Sequence, residues 1–321
     1  MIIVPEKEIA NLMTRDAAFT AVEEVFASMA ARSAYNFPVV REAIGHADAL
    51  YGFKSGFDRA ALNLGLKSGG YWPGNAAKGL TNHQSTIFLF DADTGQCRAV
   101  VGGNLLTALR TAAASAVSVA HLAREDSRVL GIVGAGHQAA YQLRAVAEQR
   151  PFERIVAWNR TADKVEPLRA VADEMGLAFE SVTLDELGAV SDVIVTITSS
   201  FDPILSAAQV KPGTHVACMG TDTKGKQEVE SALIGQATVF TDEVAQSISI
   251  GECQHAIGDQ TIRAEDITEL GAVINAKHVG RSSDDEITLF DGTGVGLQDL
   301  AVAAAVVDLA VEQGVATEVE I

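Results

Sequence analysis

The spacing of hydrophobic positions along the chain changes near residue 128. After this point, short β-branched runs alternate with stretches of helical periodicity, and six runs are predicted strands: VLGIV, RIVAW, AFESV, DVIVTIT, THVACMG and ATVFTD. Strands that alternate with helices are typical of βαβ units. The pattern therefore predicts an α/β fold with a Rossmann-type, doubly wound parallel sheet.

The first part of the chain follows a different pattern. ALNLGLKSGG alternates with a period of two, which places its three leucines on one face of a strand and Lys67 on the other. STIFLFDADTGQCRAVVGG predicts a β-hairpin that turns at residues 93–95. An Ala-rich helix is expected from about residue 105 to 123. These elements predict an α+β domain ahead of the parallel sheet.

The last long apolar stretch, GLQDLAVAAAVVDLAVEQGVA, is apolar on almost every side and predicts a buried helix. We expect the chain to return to the first domain there, and two copies to pair as a homodimer through that domain. The predicted division is a substrate-binding and dimerisation domain at 1–123 with 297–321, and a dinucleotide-binding domain at 124–296.

Composition limits the partners of the chain. Among 321 residues, 42 are acidic and 24 are basic, which gives a formal net charge of −18. Such a surface repels nucleic acid and anionic membranes, and we expect neither as a partner. No stretch is expected to span a membrane. The three cysteines are widely separated, which indicates a reduced, cytoplasmic location.

A glycine-rich loop follows the first predicted parallel strand. Gly134, Gly136 and Ala139 form a GxGxxA pattern, and His137 and Gln138 lie inside it. The first glycine permits a tight turn, the second lets a pyrophosphate approach the backbone, and the small third residue lets the helix pack closely. The loop therefore predicts a nicotinamide dinucleotide as cofactor.

The type of nucleotide stays open on charge alone. A ribose-binding acid is expected about 20 residues further on, but Asn159 and Arg160 occupy the end of the second strand. Arg160 favours the 2′-phosphate of NADP. Alternatively, Arg160 is a surface residue and Asn159 bonds to the ribose hydroxyls of NAD.

Cations in apolar surroundings indicate an anion site. Arg110 is the only formally charged residue between Ala99 and Ala123, Lys67 precedes GGYWPGN, and Arg41 lies in NFPVVREAIG. A buried guanidinium needs an anion to meet. The alternatives are a structural ion pair for Arg110, an edge-strand lysine in water for Lys67 and a surface position for Arg41.

Five candidate residues occupy the ends of two predicted strands. They are Thr198 and Ser199 on one strand and Met219, Gly220 and Asp222 on the other. Ligands gather at the carboxyl ends of strands in open α/β sheets, so these residues are predicted to contact the cofactor. Asp222 would balance an iminium or relay a proton; alternatively, it caps the following turn.

Several of these segments carry a family resemblance: LGLKSGGYWPGN, TGQCRAVVGGNLLTALRTAAASA, GIVGAGHQA, SDVIVTITSS, GTDTKGKQEVE and ITLFDGTGVGLQDLAVA. In this order they resemble the ornithine cyclodeaminase and mu-crystallin family over nearly the whole chain. The resemblance implies that Arg41, Lys67 and Arg110 hold a substrate carboxylate and that Asp222 lies beside the reacting carbon and nitrogen. Since the family includes cyclodeaminases, dehydrogenases, ketimine reductases and a hormone-binding crystallin, membership does not fix the reaction.

A narrower likeness lies in YNFPVVREAIGHADALYGFKSGFD and DEVAQSISIGECQHAI. These segments resemble the bacterial branch of the family that reduces iminosuccinate to L-aspartate in the β-hydroxyaspartate cycle, usually with NADH. A substrate with two carboxylates needs a second anchor, for which Lys54, Tyr71 and His83 are candidates; alternatively, Lys54 faces solvent. Asp299 is predicted to contact the nicotinamide; alternatively, it serves a helix N-terminus.

The sequence thus predicts an NAD(P)H-dependent reductase that transfers hydride to a small anionic imino acid. Lys67, Arg110 and Asp222 are its predicted catalytic residues, and NAD is the favoured cofactor because of the resemblance, with NADP as the alternative. The alternatives are an ornithine-type cyclodeaminase, another imine reductase or amino-acid dehydrogenase of the same family, and a non-catalytic NAD(P)-binding protein. The seven histidines form no metal-binding pattern, so no metal is expected.

Overall fold

The computed structural model describes residues 1–320. The chain forms two compact units. The split unit comprises Met1–Arg110 and the chain from Val295; the continuous unit is Thr111–Gly294. The first division falls inside a helix, Asn104–Leu122, rather than at its end near residue 123, where the sequence pattern places the boundary.

Sixteen strands and eleven α-helices lie within residues 1–320. The strands are β1 (Ile2–Val4), β2 (Ala34–Asn36), β3 (Val40–Ala43), β4 (Leu50–Asp58), β5 (Asn63–Tyr71), β6 (His83–Phe90), β7 (Cys97–Gly102), β8 (Val129–Val133), β9 (Arg154–Trp158), β10 (Ala178–Ser181), β11 (Val193–Thr196), β12 (His215–Cys218), β13 (Thr238–Thr241), β14 (Ile267–Glu269), β15 (Thr288–Asp291) and β16 (Thr317–Glu318). The helices are α1 (Glu6–Leu12), α2 (Arg15–Ala30), α3 (Asn104–Leu122), α4 (Ala139–Ala147), α5 (Glu166–Glu174), α6 (Leu184–Val190), α7 (Ser231–Gln236), α8 (Val244–Ser247), α9 (Gln254–Gly258), α10 (Leu270–Ile274) and α11 (Gly296–Glu312).

The split unit is built on a mixed eight-stranded sheet. Its strand order is β16-β1-β7-β6-β5-β4-β2, and β3 pairs with the outer part of β4. Strands β4 to β7 run antiparallel in sequence order, and the β6–β7 pair confirms the predicted hairpin. The antiparallel registers place Lys54 opposite Lys67 and Tyr71 opposite His83.

Helix α11 belongs to the split unit and covers one face of its sheet. A side-chain carbon added at Gly56 or Gly65 would lie 3.0 or 2.9 Å from the side chains of Leu297 and Leu300 of α11. The glycines therefore permit the helix to approach the strands closely. The covered face is the one that carries Lys67, so the polar side of β5 lies toward the helix.

The continuous unit contains a fully parallel sheet of eight strands. Its order is β10-β9-β8-β11-β12-β15-β13-β14. The six predicted strands are confirmed, whereas β14 and β15 are missed by the sequence pattern. The chain moves from β8 outward to β10 and then returns to β11 beside β8. The carboxyl ends of β8 and β11 therefore flank the topological switch point where open α/β sheets bind ligands.

Helix α3 corrects one expectation about the chain. By length and apolar composition, Asn104–Leu122 is long enough to cross a membrane, whereas no such stretch is expected from the sequence. Within the structure, 78% of its most apolar window is buried. Burial of this kind is typical of a core helix that is apolar on most sides.

Candidate functional site

The loop between β8 and α4 requires glycine at its first position. Gly134 has a φ of +108°, and an added side-chain carbon would lie 2.6 Å from the carbonyl oxygen of Ile197. Its N–H donates to the carbonyl of Trp158 at 2.9 Å. Gly136 is exposed, and nothing lies within 4 Å of the position of an added carbon. Ala139 is fully buried at the start of α4. The loop leaves open backbone at Gly136 beside the switch point, which fits a pyrophosphate.

The residues beside this loop differ in what they offer a ligand. Asn159 accepts a hydrogen bond from the Ala135 N–H at 3.3 Å and donates to Thr161, so it fixes the loop itself. Arg160 is exposed. His137 is exposed, and its ring packs against that of Tyr141 at a tilt of 58°, with centroids 5.4 Å apart. The buried side-chain oxygen of Gln138 has no hydrogen-bond partner among the described residues. It is thus available to a donor such as a hydroxyl group.

The ends of β11 and β12 lie side by side because these strands are direct parallel neighbours. Thr198 and Ser199 follow β11, and Met219, Gly220 and Asp222 follow β12. The predicted strand-end residues are therefore brought together at one edge of the continuous unit.

Asp222 is partly exposed at this edge, with 36% of its side chain accessible. Its carboxylate accepts hydrogen bonds from Lys226 Nζ at 2.8 Å and from the Thr223 hydroxyl at 3.2 Å. Lys226 also donates to the Gly220 carbonyl at 3.2 Å, which ties the loop together. The carboxylate stays accessible to a positively charged ligand at the end of β12.

Two buried glutamates beneath these strand ends are absent from the sequence-based site. Glu228 accepts hydrogen bonds from Thr198 N at 2.6 Å, Gly220 N at 2.8 Å and the Thr196 hydroxyl at 2.7 Å. Glu252 accepts from the backbone N–H groups of Glu228 and Val229 at 2.7 and 2.8 Å and bonds to the Thr221 hydroxyl. Burial raises the pKa of Glu228, and burial together with Glu228 raises the pKa of Glu252 to about 8.

The split unit holds a buried ion triad. Asp299, on α11, accepts contacts from Lys67 Nζ at 2.8 Å and from Arg110 Nε at 3.0 Å. Arg110 also donates to the side-chain oxygen of Gln298 at 3.0 Å. Lys67 is 7% exposed on β5, with strands on both sides, so the edge-strand alternative for it is wrong. The ion-pair alternative for Arg110 is present, with Asp299 as its carboxylate.

Burial and charge act against each other in this triad. Burial acts to raise the pKa of Asp299, but the charges of Lys67 and Arg110 outweigh it and the net shift is downward. Burial lowers the pKa of Lys67 to about 7, with Arg110 and Lys54 adding to that shift and Asp299 opposing it. One carboxylate is therefore too little to hold Lys67 fully charged.

More cations share this face of the sheet. Lys54 is half-buried directly opposite Lys67, and like charges in that position repel. Arg41 lies one strand further out, opposite Gly52. Burial first, then Lys67, Arg110 and Arg41, lower the pKa of His83 to about 4, so its imidazole is neutral at pH 7. An arrangement of this kind suits an anion with more than one negative charge.

The structure separates the predicted site residues into two groups. The substrate-binding candidates Arg41, Lys54, Lys67 and Arg110 gather on one face of the split unit, with Asp299 among them. Tyr71 lies opposite His83 at its edge and is 43% exposed. The loop and strand-end candidates gather in the continuous unit. The contact predicted between Asp299 and a nicotinamide stays a prediction, since its observed partners are Lys67 and Arg110.

Comparison with known proteins identifies full-length relatives. Iminosuccinate reductase of Paracoccus denitrificans (strain Pd 1222) is 64% identical over 321 residues, with 100% of both chains covered. The crystal structure of the iminosuccinate reductase of Paracoccus denitrificans in complex with NAD+ has a TM-score of 0.97 at 64% identity, covering 100% of this chain and 99% of that chain. An archaeal alanine dehydrogenase dimer with bound NAD has a TM-score of 0.94 at 31% identity, covering 100% and 99%.

A second reductase is also similar. Delta(1)-pyrroline-2-carboxylate reductase of Bacillus cereus (strain ATCC 10987 / NRS 248) is 32% identical over 262 residues, 80% of each chain. The profile of the Ornithine cyclodeaminase/mu-crystallin family matches residues 2–314. The chain therefore belongs to the ornithine cyclodeaminase/mu-crystallin family.

Proposed function

We propose that this protein is an NAD-dependent imine reductase that converts iminosuccinate to L-aspartate. The imine carbon gains hydride from NADH, and the nitrogen keeps the proton of the iminium form. The observation that carries the proposal is the set of cations on one face of the split unit, Lys54, Lys67 and Arg110, since a dicarboxylate supplies two negative charges there. The full-length identity of 64% to a Paracoccus iminosuccinate reductase supports it.

Recognition of the substrate is assigned to the cationic face. Arg110 and Lys67 hold the carboxylate next to the imine carbon, with the guanidinium giving directional contacts and the ammonium a compact charge. Lys54 and Arg41 hold the second carboxylate. Asp299 keeps the two buried cations in place before the substrate binds, because a buried cation without an anion is costly.

Activation of the imine is assigned to Asp222. A protonated imine accepts hydride better than a neutral one, and a carboxylate beside the nitrogen stabilises that charge. Asp222 is suited to this role because part of its side chain is accessible at the end of β12. Lys226 holds it in place at 2.8 Å.

The continuous unit is assigned to the cofactor. Gly134, Gly136 and Ala139 form the turn that accepts the pyrophosphate, and Gln138 offers its buried oxygen to a donor on the ligand. A bound nicotinamide supplies the hydride. We assign NAD rather than NADP because the similar Paracoccus enzyme is described with NAD+. Arg160 is then a surface residue, which agrees with its exposure.

The experiment follows NADH absorbance while oxaloacetate and excess ammonia generate iminosuccinate, with pyruvate and ammonia as the comparison. We expect fast oxidation with the diacid mixture and slow oxidation with the pyruvate mixture. Equal rates would remove the dicarboxylate from the proposal. Failure of both mixtures with a chain that still binds NADH would remove the reductase reaction.

The substrate of a cyclodeaminase has a second positive charge where the proposed substrate has a second negative charge. A diamino acid would bring a second positive charge toward Lys54 and Lys67, whose own charges already repel each other. Ammonia release from ornithine with catalytic NAD+ measures that activity directly, and we expect none.

We also propose that two copies pair through the split unit and that the protein works in the reduced cytoplasm. Tyr35, Phe37, Tyr51 and Phe53 are each between 36% and 45% exposed around β2 to β4, and exposed aromatic side chains of this kind are typical of interfaces. The dimeric archaeal alanine dehydrogenase supports pairing. The three cysteines are free thiols, which supports the reduced location.

The pairing is tested by changing one aromatic residue of this surface. We expect Phe53→Lys to sediment as a monomer at micromolar concentration, because a charge in a paired apolar surface is costly. Val311→Lys, at an exposed position of α11, is the control and should still sediment as a dimer. A monomeric wild-type chain would contradict the proposal.

A further inference from the structure

Glu228 is fixed in the continuous unit through both its backbone and its side chain. Its N–H donates to Glu252 at 2.7 Å, and its carbonyl accepts from Ile204 N and Leu205 N at 2.8 and 3.1 Å. Its side chain is fully buried and reaches the ends of β11 and β12 together. One carboxyl group thereby connects two strand ends to a segment whose own backbone is hydrogen-bonded behind them.

The two backbone N–H groups that its carboxylate binds belong to residues predicted to contact the nucleotide. One oxygen accepts from the N–H of Thr198, and the other accepts from the N–H of Gly220. A side-chain carbon at residue 220 would lie 2.2 Å from the Thr198 carbonyl oxygen and 2.5 Å from Oε1 of Glu228. Residue 220 therefore has to be glycine against both Thr198 and Glu228, and the carboxylate links the two strand ends through their N–H groups.

We propose that Glu228 is a positioning residue for the cofactor site: it sets the separation of the β11 and β12 ends and so aligns the backbone that meets the nucleotide. The inference rests on the proposed function for the identity of that ligand. The alignment itself is a property of the chain and is measured separately below.

The hydrogen-bond donors make a carboxyl group necessary at this position. Thr198 and Gly220 each present a backbone N–H, which only donates, to a different oxygen of Glu228. A glutamine amide has one oxygen and one NH2 group, so it would set donor against donor at one strand end. The Thr196 hydroxyl donates or accepts, so it accommodates either the ionised or the protonated acid.

Glu252 provides a matched control in the same buried region. Both backbone N–H groups that it binds, those of Glu228 and Val229, meet a single oxygen, Oε1. Its other oxygen bonds to the Thr221 hydroxyl, which accepts from an amide equally well. Glutamine therefore fits at residue 252 and does not fit at residue 228.

The experiment compares Glu228→Gln and Glu252→Gln in the full chain. Hydrogen exchange without nucleotide follows the backbone amides of Thr198 and Gly220, and fluorescence titration gives the Kd for NADH. We expect Glu228→Gln to speed exchange at one or both amides and to raise the Kd and the KM for NADH about tenfold, since one buried backbone bond is lost. The KM for the imino acid should stay within about twofold, because the cationic face is unchanged. Glu252→Gln should match the wild type in Kd and exchange.

Thr196→Val is the second test variant if Glu228→Gln does not fold. It keeps the Glu228 carboxyl group and removes one of the three hydrogen-bond donors to that group. We expect it to raise the Kd for NADH about threefold, since one hydrogen bond to the carboxyl group is lost. Unchanged exchange in the folded variants would overturn the positioning role. Equal loss of NADH binding in both glutamine variants would overturn it too. A wild-type chain that binds no NADH would refute the proposed function, and the exchange result would still decide the role of Glu228.

Discussion

Lys67 lies close to the point at which it loses its proton. Burial, Arg110 and Lys54 lower its pKa, Asp299 raises it, and the result is about 7. A second anion beside it would raise the pKa again, so anion binding and proton uptake are linked at this residue. Lys54 lowers the pKa of Lys67 from a half-buried position on the neighbouring strand.

We expect Lys54→Met to weaken dicarboxylates selectively. Loss of one charge-assisted contact should raise the inhibition constant of succinate about tenfold and leave that of propionate within about twofold. Steady-state inhibition of NADH oxidation measures both constants. Lys7→Met is the control, because the Lys7 side chain is 80% exposed on α1. Succinate inhibition that is unchanged in Lys54→Met would exclude Lys54 as the second anchor.

Some residues of the candidate site can be predicted from the sequence, and others cannot. Lys67 and Arg110 are identifiable because cations in apolar segments need an anion. Their anion, Asp299, lies 189 residues after Arg110, and no local pattern joins them. Glu228 and Glu252 are concealed for a similar reason, since their partners are backbone N–H groups that any sequence provides. Burial and these backbone partners, which no local motif encodes, distinguish the two glutamates from surface acids.

At the scale of elements, the turn from β8 to α4 depends on one backbone conformation. We expect Gly134→Ala to lower the melting temperature, because its φ of +108° is rarely adopted by other residues and the added carbon would press on Ile197. The strain should cost about 1 to 3 kcal/mol. Thermal unfolding measures the loss, and NADH titration should show weaker binding.

Gly136→Ala separates strain from ligand contact. Its added carbon meets nothing within 4 Å, so the melting temperature should equal that of the wild type. Any loss of NADH affinity in that variant then reports the approach of the pyrophosphate to the loop. A wild-type melting temperature for Gly134→Ala would show that the turn tolerates a side chain.

The elements that the sequence did not predict are short or placed by long-range pairing. β14 has three residues and β15 has four, too few for periodicity to distinguish a strand from a turn. β15 also inserts between β12 and β13 although it follows both in the chain. By contrast, α3 and α11 are long and apolar, and their extent along the chain is predicted from the sequence pattern. Local pattern thus gives the elements, while strand order comes from packing.

At the scale of the whole molecule, buried carboxyl groups link stability to pH. Burial raises the pKa of Glu252 to about 8 and that of Asp291 to about 7. In the unfolded chain both groups titrate near pH 4, so the folded chain keeps protons that the unfolded chain has released. Their stabilising contribution is fully present below about pH 4 and is lost as the pH rises through about 7 and 8.

We expect Glu252→Gln to remove the part of the pH-dependent loss of stability that Glu252 causes. The amide imitates the protonated acid, so the variant should match the wild type near pH 5 and exceed it in melting temperature near pH 8. Calorimetry at both pH values measures the difference. A variant that loses stability with pH as steeply as the wild type would show that Glu252 is ionised in the folded chain.

The split unit has a consequence for synthesis of the protein. Arg110 and Lys67 leave the ribosome long before Asp299, which is translated 189 residues after Arg110. The nascent chain therefore carries two cations whose eventual partner does not yet exist, while all strands of the parallel sheet are made before α11. Translation that stops ahead of this helix would yield every parallel strand but would lack Asp299, the carboxylate that pairs with both cations. A helix translated after the parallel sheet thus completes a unit whose strands β1 to β7 were translated before that sheet.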